Sequence, residues 1–178
     1  MVGNEFTCVT VILLDFGVAL QLIFVLVQDP RGTTRSKSNI KPLHQPKMKD
    51  ENFGELKNEF LNICTKICAN LPCPDCSEHA IAIMKNLNRD NIKTKKDLQL
   101  FFFDFHNSVN RRIKKPVFNE DQMFMYHKAI TKNIVFNYIT IMSRKQNNIK
   151  LLSNSFHRDM TMNDFKKWIS HNSNKFNP

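Results

Sequence analysis

The sequence predicts an all-α protein, a small bundle of four or five helices with a C-terminal helical extension. Apolar residues recur at spacings of three and four along much of the chain after residue 51, which is the period of one helix face. Prolines and capping residues mark several helix ends. Alternation of apolar and polar residues is scarce, although residues 134–142 are rich enough in β-branched side chains to allow a strand.

The first two predicted helices meet at a proline-rich turn. Pro72 and Pro74 interrupt the first apolar face. The second helix should begin near Pro74 and Asp75, because proline suits a first turn and an acidic group suits the positive end of the helix dipole. This helix should end at the polar stretch 88–93. The face of the first helix consists of Phe53, Leu56, Phe60, Cys64, Ile67 and Leu71.

Capping signals define the third predicted helix. Thr94 with Asp97 resembles a capping box, in which each residue bonds the backbone of the other. Pro116 should end the helix, because proline cannot continue the backbone hydrogen bonding. Its apolar face consists of Leu98, Phe102, Phe105, Val109 and Ile113.

Two further helices are predicted after Pro116. Asn119 with Gln122 can cap a fourth helix, and Thr161 with Asp164 can cap a short last one. The fourth helix would carry Met123, Tyr126, Ile130 and Ile134 on one face, and the last would carry Phe165, Trp168 and Ile169.

An apolar run at residues 8–27 precedes the predicted bundle and is long enough to span a bilayer. Six basic residues follow it, so the C-terminal part would stay in the cytoplasm. A buried core helix and a misassigned start are the alternatives. The predicted division is a hydrophobic segment and possible membrane anchor at 1–28, a linker at 29–50, the helical domain at 51–142 and a basic C-terminal extension at 143–178.

The chain is basic, with 26 Lys and Arg against 16 Asp and Glu and a formal net charge of +10 over 178 residues. These charges are spread along the chain, without zinc-finger spacing or an aromatic RNA-binding strand beside them. A solvated basic surface is therefore the simplest interpretation, and no nucleic-acid partner is expected.

Four of the five cysteines lie within thirteen residues, which favours redox or metal chemistry over a spread disulfide framework. Cys73 and Cys76 form a CxxC at a predicted helix start, where backbone N–H groups stabilise thiolates. Cys64 and Cys68 lie four residues apart on an apolar helix face and could be small core residues. Three alternatives stay open here: a redox pair, buried free thiols, and a zinc site built from Cys64, Cys68, Cys73, Cys76 and His79.

A second polar group lies in the Phe-rich third helix. His106 and Asn110 share one helix face, and Asn107 lies three residues before Asn110. Imidazole and amide groups beside phenylalanines could line a pocket for a flat polar ring. Ordinary helix polarity is the alternative.

The string LPCPDCSEHA, followed by FFFDFHNSVNRRIKKP, resembles the Erv/ALR family of FAD-linked sulfhydryl oxidases, and most of all its large-DNA-virus members. The resemblance rests on the CxxC and, about thirty residues later, on an H-N-x-V-N helix followed by Lys-Pro. It covers roughly residues 51–140 and assigns the domain at 51–142 to this family. The earlier tryptophan-bearing helix of the family is not found, since the single tryptophan is Trp168.

The resemblance implies a flavin-linked thiol oxidase, often a homodimer, that holds FAD non-covalently. Cys73 would be attacked by the incoming thiol of a substrate protein, and Cys76 would lie next to the flavin. Electrons would pass from the dithiol through Cys73–Cys76 to FAD and then to O2, giving H2O2. The residues expected to contact FAD are His106, Asn107, Asn110, Lys115 and Tyr126.

The expected location is the host cytoplasm or the virion, with membrane attachment possible through residues 8–27. Two alternatives to the oxidase remain. The first is a zinc-stabilised helical binding module, and the second is a family member that has lost flavin binding and acts as a structural or interaction protein.

Overall fold

The computed structural model describes residues 48–71, 73–120, 130–143 and 152–176, apart from the side chains of 152–155. Within these ranges the only β pairing is an isolated bridge between Met48 and Phe176, so the all-α prediction is confirmed. The described part contains five α-helices: α1 (Phe53–Ala69), α2 (Pro74–Asn86), α3 (Lys95–Arg112), α4 (Thr131–Met142) and α5 (Leu152–Asn172). Short 3-10 helices cover Asp50–Asn52, Arg89–Asn91 and Ser173–Lys175.

Helix α1 is the centre of the bundle and packs against both α2 and α5. Its buried face matches the predicted spacing, and burial of such large apolar side chains is the main stabilising contribution to a fold of this kind. Phe60 lies against Phe102 of α3 and against Trp168 of α5, with ring centroids 6.1 and 5.8 Å apart. The buried residues of α1 are Leu56, Phe60, Leu61, Ile63, Cys64, Ile67 and Cys68.

The predicted starts of α2 and α3 are confirmed. Pro74 occupies the first turn of α2. Thr94 and Asp97 form a complete capping box, with Asp97 N donating to Thr94 Oγ1 at 3.1 Å and Thr94 N donating to Asp97 Oδ2 at 2.8 Å. These hydrogen bonds with Thr94 lower the pKa of the Asp97 carboxyl, because they favour its charged form.

The fourth predicted helix differs at its start. Helix α4 begins at Thr131, and Ile130 is its extended N-cap with a side chain that is 56% exposed. The prediction that Ile130 belongs to the helical face is therefore wrong. Gln122, Met123 and Tyr126 lie outside the described residues. The strand alternative for residues 134–142 is also wrong, because the whole stretch is helical.

The prediction that the last helix starts at Thr161 and Asp164 is wrong, because α5 begins at Leu152 and runs through both residues. Their polar groups bind α1 and the residue after it instead of capping α5. Thr161 Oγ1 accepts a hydrogen bond from Asn70 Nδ2 at 2.9 Å, and Asp164 pairs with Lys66 at 2.6 Å. Capping-type residues inside a helix can serve tertiary contacts, which local spacing does not reveal.

The residues on either side of 51–142 share one core with the helices between them. Met48 is fully buried in the same cluster as Phe60 and Phe165. Lys95 is only 4% exposed, forms an ion pair with Asp50 and donates to Met48 O at 2.9 Å. A buried ammonium needs such partners, since burial without them carries a large cost.

No helix within the described ranges is long and apolar enough to cross a membrane. The expected anchor at residues 8–27 lies outside those ranges.

Candidate functional site

The CxxC occupies the start of α2. Cys73 is the N-cap, with an extended backbone (φ −96°, ψ 116°), and its carbonyl accepts the first helical hydrogen bond, from Ser77 N at 2.9 Å. Ser77 Oγ donates to Cys68 O at 2.9 Å and so ties this helix start to the end of α1. Cys73 is 8% exposed and Cys76 is half-buried, and no disulfide joins them.

The other two described cysteines have a different environment. Cys64 and Cys68 are buried on α1, as expected for helix-face thiols. Burial raises the pKa of Cys68 to about 12, and burial followed by the proximity of Cys68 raises the pKa of Cys64 well above its usual value. Burial acts this way because a thiolate loses its solvation in an apolar core. These two cysteines are therefore poor nucleophiles.

The zinc alternative fails on geometry in the described part of the chain. No three His, Cys, Asp or Glu side chains there are grouped so that they could hold a metal ion. A structural zinc site needs four ligands in a tetrahedron, so the cysteine cluster and His79 do not form one.

A histidine joins the CxxC helix to the second motif. His79, three residues after Cys76 on α2, lies 3.2 Å from Ser108 Oγ of α3 through its Nε2. Burial, and then the charge of Arg112, lower the pKa of His79, so the neutral imidazole is favoured. The two motifs that are thirty residues apart in sequence thus lie on neighbouring helices in direct contact.

The end of α3 is a Schellman turn. Lys114 lies in the left-handed region at φ 56°. Lys115 N donates to Asn110 O at 2.8 Å and Lys114 N donates to Arg111 O at 3.2 Å, which is the hydrogen-bond pair that defines this turn. It reverses the chain immediately after α3, so two predicted cofactor-binding residues, Asn110 and Lys115, are directly hydrogen-bonded through their backbones.

Asn107 fixes the chain that follows this turn. Its Nδ2 donates to Phe118 O at 2.9 Å, and its Oδ1 accepts from Phe118 N at 2.7 Å. The Phe118 ring then lies 5.4 Å from the imidazole of His106, between ring centroids. Sequence reasoning missed Phe118. The available signal was that a buried asparagine amide requires partners, although the helix spacing does not say which residues supply them.

Four of the predicted site residues therefore meet at one end of α3: His106, Asn107, Asn110 and Lys115. Burial, and then the charge of Lys115, lower the pKa of His106, which favours a neutral ring. Tyr126 lies outside the described residues.

The same end of α3 carries a cluster of basic side chains. All are exposed, and no ion pair with a carboxylate is formed by any of them in the structure's described ranges. An imidazole beside an aromatic ring, next to several basic side chains, is a donor set that suits a flat ring system joined to phosphates. These residues thus fit FAD. The cations are Arg111, Arg112, Lys114 and Lys115.

Part of the chain matches a known protein family. The model of the Erv1 / Alr family matches residues 41–130, which is half of the chain. The chain belongs to the Erv1/Alr family. The resemblance inferred from the two motifs is thereby confirmed. The CxxC and the four described residues at the end of α3 lie inside the matched range, whereas α5 lies outside it.

Proteins of large DNA viruses that are named FAD-linked sulfhydryl oxidases are among its relatives. A protein of Invertebrate iridescent virus 6 is 41% identical over 56 residues, covering 28% of this chain and 50% of that protein. One from Invertebrate iridescent virus 3 is 34% identical over 69 residues, covering 38% of this chain and 47% of that protein. One from African swine fever virus is 28% identical over 81 residues, covering 45% of this chain and 67% of that protein.

The chain spans about half the length of the two iridescent-virus relatives it matches. No solved structure matches it.

Proposed function

We propose that this chain is an FAD-dependent thiol oxidase that forms disulfides in substrate proteins and uses O2 as the final electron acceptor, giving H2O2. The observation that supports it most is the contact between His79 and Ser108. Through this contact α2, which carries the CxxC, lies against α3, and the end of α3 carries the side chains suited to bind a flavin. Membership of the Erv1/Alr family and the names of the viral relatives support the same activity.

His106 and Phe118 would face the ring system of FAD, and Asn110 would contribute polar contacts beside them. The basic cluster at the end of α3, including Lys115, would bind the phosphates, because Lys and Arg side chains neutralise such anions. Asn107 would act mainly by holding Phe118 in place, since its amide is already engaged. When bound, FAD supplies the two-electron chemistry that thiols alone lack.

Thiol–disulfide exchange at the CxxC would carry the protein's part of the reaction. A substrate thiolate attacks Cys73 Sγ of the Cys73–Cys76 disulfide, which forms a mixed disulfide and releases Cys76 as a thiolate. The second substrate thiol attacks the mixed disulfide, so the substrate leaves with a disulfide and the CxxC is left as a dithiol. Cys76 lies in the first turn of α2, where backbone N–H groups stabilise the released thiolate.

Colour and turnover test this proposal. The purified protein is expected to be yellow, to bleach with dithiothreitol in the absence of air, and to produce peroxide when air is admitted. Cys76→Ser should keep the flavin and lose peroxide production. Cys64→Ala is the matched control and should keep both, because Cys64 is a buried helix-face thiol.

Two results would contradict the proposal. Colourless protein that remains colourless after incubation with FAD would favour a flavin-free structural or interaction protein. Peroxide production retained in Cys76→Ser would remove the assigned role of Cys76.

We also propose that the protein acts as a homodimer on thiol-containing proteins in the host cytoplasm or the virion. The family resemblance supports the dimer, and the viral relatives support the location. Light scattering should then give about twice the chain mass of 20.9 kDa, whereas a mass near that of one chain would contradict the dimer.

A further inference from the structure

A polar cavity of about 290 Å³ lies where α1, α2 and α5 meet. The end of α1 and the turn after it supply residues 69–71, the start of α2 supplies Pro74, Ser77 and Glu78, and α5 supplies His157. This volume is near the lower end for ligand pockets, which are usually about 300–1,000 Å³. It is large enough for one or two side chains and too small for a cofactor such as FAD.

The cavity lies at the turn that carries Cys73, the more buried residue of the CxxC. Leu71 and Pro74 lie on either side of Cys73 in the chain, and both line the cavity. Cys73 itself is 8% exposed. A substrate cysteine that approaches this turn would bring its neighbouring residues to the cavity.

Side-chain hydrogen bonds join α5 to α1 and to the residue that follows α1. His157 and Thr161 are four residues apart and share one face of α5, and Thr161 accepts a hydrogen bond from Asn70, one of the cavity residues, at 2.9 Å. A second bond ties α5 to α1, from Trp168 Nε1 to Glu59 Oε2 at 3.1 Å. These contacts place the part of α5 that carries His157 beside the end of α1.

Polar groups dominate the chemistry of the lining. Asn70 and His157 offer hydrogen-bonding groups, and among the described residues of the lining Glu78 alone has a carboxylate. Glu78 is exposed and forms no ion pair in the ranges that the structure describes. Such a site is complementary to a cationic or hydrogen-bond-donating side chain.

We propose that this cavity binds the residues flanking the reactive cysteine of a protein substrate, with a lysine or arginine next to that cysteine. The inference rests on the proposed function. Because His157 belongs to a helix outside the family match at 41–130, this chain adds its own substrate contact to the family's reactive turn. His157 and Glu78 then determine substrate preference, whereas the thiol chemistry stays with Cys73 and Cys76.

Model peptides provide the test. Two ten-residue fluorescein-labelled peptides are used, one centred on Lys-Ser-Lys and one on Glu-Ser-Glu, where serine replaces the reactive cysteine. Fluorescence anisotropy with the full chain should show tighter binding of the lysine peptide. His157→Ala and Glu78→Gln should each weaken that binding at least about fivefold, whereas His171→Ala, an exposed histidine on the same helix, should not.

The rate of thiol oxidation gives a second test, with the same peptides carrying cysteine in place of the central serine. The ratio of kcat/KM for the Lys-Cys-Lys peptide to that for dithiothreitol should fall at least about fivefold in His157→Ala and Glu78→Gln, through KM rather than kcat. Binding that does not distinguish the two peptides, or that is equal in His157→Ala and His171→Ala, would overturn the cavity proposal.

The two proposals can fail separately. If the protein holds no flavin, anisotropy still decides whether the cavity binds the lysine peptide. If dithiothreitol supports peroxide production while both variants keep the wild-type ratio, the cavity proposal fails and the oxidase proposal stands.

Discussion

The side-chain amide of Asn107 pairs with both backbone hydrogen-bonding groups of Phe118, at 2.9 and 2.7 Å. This double hydrogen bond ties the chain after α3 back onto the helix, and it sets the Phe118 ring beside His106. An asparagine that the sequence suggested as a cofactor contact is thus also a structural clamp of the candidate flavin site.

Removing this clamp should destabilise the fold. Asn107→Ala leaves the N–H and C=O of Phe118 without their partner, at a position where Asn107 is only 5% exposed. Loss of such partners costs about 1–3 kcal/mol, which urea denaturation can measure. The exposed Asn58→Ala on α1 is the control and should stay within about 0.5 kcal/mol of wild type. Equal effects of the two substitutions would contradict the clamp.

Relief of backbone strain at the end of α3 should stabilise the protein. Lys114 has φ 56°, a conformation that costs an L-residue about 1–2 kcal/mol and glycine much less. Lys114→Gly should therefore gain about 0.5–1 kcal/mol in free energy of unfolding, since the greater entropy of unfolded glycine offsets part of the relief. Lys114→Ala removes the same charge and keeps the strain, so a gain in that control would point to charge rather than conformation.

Two histidines should titrate below their ordinary range. Burial and Lys115 lower the pKa of His106, and burial and Arg112 lower the pKa of His79. Lys115→Gln should raise the pKa of His106 alone, and Arg112→Gln that of His79 alone, as NMR titration of the imidazole protons can measure. A shift of both histidines in either variant would argue against these specific pairs.

These shifts also set the direction of the pH dependence of stability. A histidine with a lowered folded-state pKa binds its proton more readily in the unfolded chain, whose pKa is near 6.5. The free energy of unfolding should therefore fall as the pH drops below about 6.5, until the folded-state pKa is passed. Urea denaturation at pH 7.5 and at pH 5.5 measures this free energy. Greater stability at the lower pH would contradict the contribution expected from the two histidines.

The cysteines should separate into two reactivity classes. In reduced native protein at pH 8, iodoacetamide should label half-buried Cys76 well before Cys64 and Cys68. The raised pKa of the two α1 thiols leaves little thiolate, so their rates should be lower by about 100-fold or more. Peptide mass spectrometry assigns each site, and guanidinium should make all of them react. Labelling of Cys68 as fast as Cys76 in native protein would show that α1 is not packed as described.

Local patterns predicted the parts of the fold whose partners are close in sequence. The capping box of Thr94 and Asp97 and the start of α2 at Pro74 depend on residues within one turn, and both are confirmed. The start of α5 was missed because Thr161, which fits a local capping pattern, binds Asn70, a partner 91 residues away.

The candidate site likewise combines features that are local in sequence with contacts between distant residues. Side chains that fit a redox centre and a cofactor were visible as two motifs with characteristic spacing, Cys73 to Cys76 and His106 to Asn110. Their contact through His79 and Ser108 depends on how α2 and α3 pack. Phe118 belongs to the site because it is hydrogen-bonded to Asn107, eleven residues earlier, and the spacing of the motifs does not indicate this contact.

The sequence by itself determined the all-α class, the two motifs and the family to which they belong. The class and each motif are properties of residue type and of spacing within about one helical turn, where the backbone geometry alone places side chains together. The family follows from the order of the two motifs and their separation of about thirty residues. Only the tertiary structure decided that His157 of α5 shares a cavity with the start of α2, that Lys95 is buried against Met48 and Asp50, and that Phe118 lies beside His106. Those contacts join distant parts of the chain, and their geometry follows from the packing of whole helices rather than from any local pattern.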